Sequence, residues 1–184
     1  MAGSSTADAQ QPVFYFDLAS AEAYLTAERV LRDLPVLAEW IPILVPAPVA
    51  PDRGAIEAAA LALGLQPVRW PPVVPFDSAF AMRAATFAKQ IGRTVAFAQA
   101  AFRQAYAGGR DLSVPDNVLI ASAACEMHPA ALLKGTGLKS IGKRLDDATR
   151  LAVERGVLSA PAVWTGETVF HGDAGVEEAA RALT

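Results

Sequence analysis

The chain has 184 residues, of which 53% are hydrophobic and 8% aromatic, and its formal net charge is -3. This length suits one domain, or one domain with a sizeable insertion, and provides a real core. The negative balance, without a basic cluster, argues against nucleic acid as a partner. No stretch approaches the ~20 apolar residues of a membrane-spanning helix, and residues 1–11 lack a signal-peptide pattern. We therefore expect a cytoplasmic protein with no membrane partner and a flexible tail at residues 1–11.

The first elements are predicted to be a strand, a helix and a second strand. Residues 13–17 form a short apolar run that is typical of a strand buried on both faces. Ser20 then precedes a segment in which apolar residues recur at steps of three and four, and Pro35 marks its end. Residues 40–45 form a second apolar run, closed by prolines that cannot continue a central strand.

Residues 52–150 lose the strand signal and show helical periods instead. A third helix in this region is predicted to begin at Asp116 and to include Cys125. The two preceding apolar stripes are Phe80, Ala84, Phe87 and Ile91, and then Val95, Ala98, Phe102 and Ala105. We interpret this region as an all-helical insertion domain whose stripes form a core.

The last third of the chain returns to a mixed pattern. An amphipathic helix is predicted to end at Gly156. Residues 162–165 and 168–171 are β-prone runs joined by Gly166 and Glu167, which predicts a hairpin, and a final helix follows over 175–183. The fold class is therefore α/β: a thioredoxin-like domain made of residues 12–51 and 151–184, with a central all-helical insertion at residues 52–150.

Several fragments, in their order and spacing, resemble those of a known family and together cover nearly everything after the tail. They are Phe16-Asp17-Leu18-Ala19-Ser20 with Tyr24-Leu25, Gly64-Leu65 through Arg69-Trp70-Pro71 to Pro75-Phe76, Gly109-Arg110-Asp111-Leu112-Ser113, Arg155-Gly156-Val157-Leu158-Ser159-Ala160-Pro161-Ala162-Val163-Trp164, and Phe170-His171-Gly172-Asp173. The chain is thus similar to the DsbA-like thioredoxin superfamily, in the branch of 2-hydroxychromene-2-carboxylate isomerases and kappa-class glutathione transferases.

The resemblance implies that Ser20 is the catalytic residue. It takes the position of the first cysteine in the C-x-x-C motif of thioredoxin-like proteins, and the family serine donates a hydrogen bond to the sulfur of glutathione. A hydroxyl and a helix N-terminus both lower the pKa of a thiol, and the thiolate is the nucleophile. In the isomerases this thiolate is thought to add to the conjugated substrate, to permit rotation, and then to leave. From the residues alone, Ser20 can also be simply a helix N-cap.

Three further residues are implied to bind the cofactor, which is glutathione or another low-molecular-weight thiol. Pro161 matches a cis-proline, and the preceding residue, Ala160, would pair its backbone with the ligand. A trans proline at an edge strand is the alternative. Asp173 matches the acidic residue that holds the γ-glutamyl end of glutathione, or it caps the last helix.

The chain also departs from the family pattern. Ala174 stands where an arginine follows the aspartate, Ala21 replaces a proline, and residues 45–53 lack the lysine and the Gly-Asn pair that hold an acidic substrate in the isomerases. Arg53 is a candidate replacement for that lysine. His171 lies beside the predicted site in sequence and is a candidate for a polar role there. No spacing of histidines and acidic residues suggests a metal site.

Our leading hypothesis is a thiol-dependent isomerase or transferase that acts on a small-molecule substrate, for which an aromatic compound is one candidate. Proteins of this branch are frequently homodimers, and the alanine-rich insertion is compatible with such an interface. The alternative is a non-catalytic thioredoxin-fold binding or assembly protein. A dithiol oxidoreductase is nearly excluded because Cys125, the one cysteine of the sequence, has no partner.

Overall fold

The computed structural model describes residues 11–184, so the predicted tail lies outside the described residues except for Gln11. The structure is an α/β fold whose elements between the second and third strands are all helices, as predicted. In chain order they are β1 (Val13–Phe16), α1 (Ala21–Asp33), β2 (Glu39–Pro42), α2 (Arg53–Ala62), α3 (Ala79–Gln90), α4 (Thr94–Tyr106), α5 (Pro115–Ala123), α6 (Pro129–Gly137), α7 (Lys139–Glu154), β3 (Ala162–Trp164), β4 (Val169–His171) and α8 (Gly175–Ala182).

The four strands form one mixed sheet in the order β2-β1-β3-β4. β1 pairs in parallel with β2, while β1 with β3 and β3 with β4 are antiparallel. The predicted hairpin joins β3 to β4, and its turn is closed by Thr165, whose N–H donates to the Thr168 carbonyl oxygen at 3.0 Å. Because β1 and β2 run in parallel, their carboxyl ends meet at one edge of the sheet.

The two faces of the sheet are covered differently. Phe14, Phe16 and Trp40 belong to a large core that also contains side chains of the helical segment, and the rings of Phe16 and Phe102 lie 6.0 Å apart. The opposite face, with Tyr15 and the hairpin, packs against a smaller cluster to which α7 contributes. The helices between β2 and β3 therefore pack directly on the strands that carry the predicted site.

The predicted apolar stripe on α3 is partly wrong. Ile91 is 48% exposed, and the buried side of this helix consists mainly of alanines and Met82. Phe87 is only partly buried and packs over Gly135 of α6, where an added Cβ would overlap the ring. Small residues let helices approach closely, so alanine carries burial here that the pattern assigned to aromatic rings.

Other differences lie at helix boundaries. α2 and α6 were not predicted, since each buries only a few residues of its short span. α5 ends at Ala123, so Cys125 lies just beyond that helix, where it is buried. Within residues 11–184, none of the helices is both long and apolar enough to cross a membrane.

Candidate functional site

The turn between β1 and α1 is fixed by hydrogen bonds to a single aspartate. The Ser20 N–H donates to the Asp17 carbonyl oxygen at 3.0 Å, and the Ala19 N–H donates to Asp17 Oδ1 at 2.9 Å. Ser20 is the N-cap of α1, and its Oγ accepts from the Ala23 N–H at 3.1 Å. The capping interpretation of Ser20 is therefore correct, and it leaves the hydroxyl hydrogen available for a second contact.

That second contact joins Ser20 to the loop before β3. The hydroxyl donates to the Ala160 carbonyl oxygen at 2.9 Å. The Ala160–Pro161 peptide bond is cis, as the resemblance implies, and the Pro161 carbonyl accepts from the Gly172 N–H at 2.9 Å. Three of the predicted site residues thus lie together. Rotation about the Cβ–Oγ bond of Ser20 would turn its hydrogen from Ala160 toward another acceptor.

An open cleft of about 460 Å³ lies beside Ser20, at the carboxyl ends of β1 and β2. One wall includes Ser20, Ser159 and Ala160, and the other consists of residues 47–52 with the start of α2. We call it the Ser20 cleft. Val49 and Leu158, which are 87% and 82% exposed, belong to its lining and make its rim apolar. Pro161 is buried and does not line the cleft.

Aromatic side chains do not fill the Ser20 cleft. Tyr24 is in the core, where its ring stacks on Tyr106 at 5.6 Å. Trp164 is covered by Arg155, whose guanidinium carbon lies 3.7 Å from the ring centroid. The cleft therefore has room for a small molecule.

Every charged side chain that lines the Ser20 cleft within residues 11–184 is an acid: Asp17, Glu22 or Asp52. Asp17 is 1% exposed, and its Oδ2 accepts from the Val45 N–H at 2.9 Å, so it ties the two walls together. Burial raises the pKa of the Asp17 carboxyl, although hydrogen bonds from Ala19 and Val45 act in the opposite direction. Asp52 caps α2 and accepts from the Ala55 N–H at 3.1 Å.

Asp173 is engaged by α1 rather than directed to Ser20. Its Oδ1 accepts from the Thr26 hydroxyl at 3.0 Å and lies 3.1 Å from Arg29 Nε. Its backbone N–H donates to Glu22 Oε1 at 2.8 Å. Burial raises the pKa of the Asp173 carboxyl and outweighs the charge of Arg29, which acts in the opposite direction. A guanidinium from α1 thus contacts the aspartate that lacks an arginine beside it in sequence.

The remaining candidate residues have structural contacts. Arg53 does not line the cleft, because its guanidinium lies 5.1 Å from the ring centroid of Trp70. His171 Nε2 accepts from the Leu158 N–H at 3.1 Å and so holds the rim of the cleft. Burial raises the pKa of the Cys125 thiol, which makes it a poor nucleophile. Among the described residues, no group of three or more histidine, cysteine or acidic residues could hold a metal ion.

No model of a known protein family and no curated protein matches the sequence of the chain. Solved structures do match. The structure of 2-hydroxychromene-2-carboxylate isomerase has a TM-score of 0.80 at 17% identity, over 94% of this chain and 93% of that one. A probable DsbA oxidoreductase from Streptomyces coelicolor has a TM-score of 0.77 at 16% identity, over 95% and 88%.

A third similar structure is the cytosolic disulfide reductase DsbM from Pseudomonas aeruginosa, solved with GSH. It has a TM-score of 0.65 at 15% identity, over 94% of this chain and 96% of that one. The TM-scores establish the fold. Because the identities are this low, the chemistry has to be argued from the residues of the site. The chain thus has the thioredoxin-like fold that the 2-hydroxychromene-2-carboxylate isomerase and DsbA-like structures share.

Proposed function

We propose that the chain is a thiol-dependent enzyme of the isomerase or transferase kind, in which Ser20 donates a hydrogen bond to the sulfur of a low-molecular-weight thiol. The observation that supports this most is the position of the Ser20 hydroxyl. It lies at the N-terminus of α1, beside Ala160, and lines an open cleft at the carboxyl ends of two parallel strands. Ligands of open α/β sheets bind at such strand ends.

The residues of the chain would stabilise a negative sulfur in two ways. The Ser20 hydroxyl would turn from the Ala160 carbonyl to the sulfur, and the N-terminus of α1 would add the positive end of its dipole. Once that carbonyl is released, the backbone of Ala160 is free to pair with an amide of the ligand. A bound thiol supplies a nucleophile that can add to a conjugated double bond and leave again.

The cleft walls suit an apolar second substrate. Val49, Pro48 and Leu158 present aliphatic surface, and the cleft volume of about 460 Å³ falls within the usual range for small-molecule sites. An aromatic compound with a conjugated side chain would bury this surface. The acidic lining offers no counter-ion for a carboxylate, so we expect a substrate that has no carboxylate group.

A binding and activity experiment with matched serine variants tests the proposal. Isothermal titration against a panel of thiols, and isomerisation or conjugation of an electrophilic aromatic compound, would be measured for the wild type, Ser20→Ala and Ser159→Ala. Ser159 is the control because it is also a serine that lines the cleft. We expect Ser20→Ala alone to abolish thiol-dependent turnover. Equal activity in all three proteins would refute the role of Ser20.

The alternative is a binding or assembly protein without catalysis, and one observation favours it. The Ser20 hydroxyl and the Asp173 carboxylate both already have partners within the chain. This function would give no thiol binding at all, and Ser20→Ala would then change only stability. A homodimer and a cytoplasmic location remain predictions; light scattering of the purified protein tests the first.

A further inference from the structure

We infer that the thiol bound in the Ser20 cleft is neutral or carries an ammonium group, and that glutathione is disfavoured. This inference rests on the proposed function and specifies the ligand of the same site. Glutathione carries two carboxylates and one ammonium, so its binding needs cations or free N–H groups at two points. The residues that line the cleft show whether it offers such groups.

No cation reaches the cleft from the residues that the structure describes. Its charged lining side chains are Asp17, Glu22 and Asp52. Arg53, which is nearby in sequence, lies over Trp70 instead. Arg29 of α1 is 8% exposed and is held by Asp173 and Glu177. A carboxylate in the cleft would therefore meet like charges, which disfavour it by Coulomb repulsion.

The helix N-termini at the cleft do not make up for the missing cations. α1 and α2 both begin there, and helix N-termini bind anions through their unpaired N–H groups. Here the chain places its own acids at both ends: Asp52 caps α2, and Glu22 lies in the first turn of α1. Glu22 also takes the Asp173 N–H, a donor that a ligand carboxylate could otherwise use. These carboxylates weaken the attraction of the two N-termini for a ligand carboxylate, whereas a sulfur bound at Ser20 would accept from the Ser20 hydroxyl and lie at the N-terminus of α1 itself.

Basic side chains line a different cleft. Lys89, Arg144, Arg150 and one acid, Asp147, line a space of about 790 Å³ between α3, α7 and β2, on the other side of the sheet from the large core. Lys89 and Arg150 each have an acidic partner. Arg144 has no ion pair among the residues that the structure describes, so anionic small molecules are expected to bind beside it rather than at Ser20. This second cleft serves as an internal control, because a ligand that binds there would shift the NMR signals of a different set of residues.

The Ser20 cleft has matching features for a cation. The carboxylates of Glu22 and Asp52 each use one oxygen, Oε1 and Oδ1 respectively, in a backbone hydrogen bond. Their second oxygens can accept from an ammonium. A compact thiol with an amine, or a neutral thiol with hydroxyl groups, would place its sulfur at Ser20 and its polar end toward these acids.

Four fragments of similar size separate charge from sulfur. They are cysteamine, 2-mercaptoethanol and mercaptoacetate, which are cationic, neutral and anionic thiols, and ethanolamine, which has the cation without the thiol. Binding would be followed by NMR shifts of the Ser20 and Ala160 amides at low salt, with glutathione as a fifth ligand. We expect cysteamine to bind about tenfold more tightly than mercaptoacetate, with a smaller difference at high salt.

Charge variants test whether the acids of the cleft cause the preference for cysteamine over mercaptoacetate. The double variant Glu22→Gln and Asp52→Asn keeps the hydrogen-bond acceptors and should remove most of the cysteamine preference. Glu178→Gln is the control, because Glu178 is exposed and lies in the first turn of α8 as Glu22 lies in that of α1. A preference that persists in the double variant would overturn the inference.

The outcomes also separate this inference from the proposed function. If mercaptoacetate or glutathione binds at Ser20 as tightly as cysteamine, the charge inference is wrong and the thiol function stands. If ethanolamine matches cysteamine, the charge inference stands and the thiol function fails. If no fragment shifts the NMR signal of the Ser20 amide, the charge inference and the thiol function both fail.

Discussion

The Arg29 guanidinium contacts Asp173 with two of its nitrogens, although the two residues are 144 positions apart in the chain. Arg29 Nε lies 3.1 Å from Asp173 Oδ1, and Nη2 donates to the Asp173 carbonyl oxygen at 2.8 Å. This pair fastens the loop after β4 to α1. The same loop donates from Gly172 to Pro161, so the pair also supports the peptide that faces Ser20.

Breaking this pair should destabilise the protein strongly. Arg29→Met leaves the partly buried Asp173 carboxylate without its cation and the Asp173 carbonyl without its donor, and we expect a loss of about 3 kcal/mol in the free energy of unfolding. Arg32→Met is the control on the same helix, because Arg32 pairs with Asp33 at the surface. Urea unfolding should show almost no change for that variant. Similar losses in both variants would contradict the structural role of Arg29.

Ser20→Ala should cost stability as well as activity. The substitution removes the cap from the Ala23 N–H and leaves the Ala160 carbonyl without its donor. We expect a loss of about 1–2 kcal/mol in urea unfolding. Ser20→Thr keeps a hydroxyl at the cap and should recover most of this loss. If Ser20→Ala were neutral, the hydrogen bond to Ala160 would contribute nothing to the folded state.

Gly172→Ala should be more costly than a matched glycine substitution elsewhere. Both Gly172 and Gly64 have positive φ, at 76° and 70°, but only at Gly172 would an added Cβ meet a neighbour, Glu22 Oε1 at 2.9 Å. We expect about 1 kcal/mol for Gly64→Ala from the backbone alone. Gly172→Ala should lose roughly 1 kcal/mol more, since Glu22 must release the Asp173 N–H.

A double variant identifies the source of that excess. In the Glu22→Ala background the side chain that obstructs the new Cβ is absent. The cost of Gly172→Ala should then fall to that of Gly64→Ala, as measured by thermal or urea unfolding. An unchanged excess would mean that the loop, and not Glu22, resists the substitution.

The sequence predicts what local chemistry determines and misses what distant residues create. The Ser20 cap and the turn at Gly166 follow from short-range rules, and both are present. The Arg29 contact with Asp173 depends on how α1 meets the last loop, which no local pattern encodes. The acidic character of the cleft arises in the same way, because Glu22 and Asp52 approach it from different helices.

Ionisation of Asp17 should make stability depend on pH in a direction opposite to that of most carboxylates. Burial raises its pKa in the folded protein above the value of about 3.9 expected for an unfolded chain. Its contribution to stability is therefore fully present below that unfolded pKa and is lost as the pH rises through the folded pKa.

Asp17→Asn removes this titration, so the comparison of the two proteins isolates it. The amide keeps one acceptor for Ala19 or Val45 and loses the other, which adds a penalty that does not vary with pH. From about pH 4 upward, the free energy of unfolding of the wild type should fall relative to that of Asp17→Asn, and the difference should become constant above the raised pKa. Urea unfolding at several pH values measures this slope. A difference that grows in favour of the wild type with rising pH would instead mean that the N–H groups of Ala19 and Val45 stabilise the carboxylate more than burial penalises it.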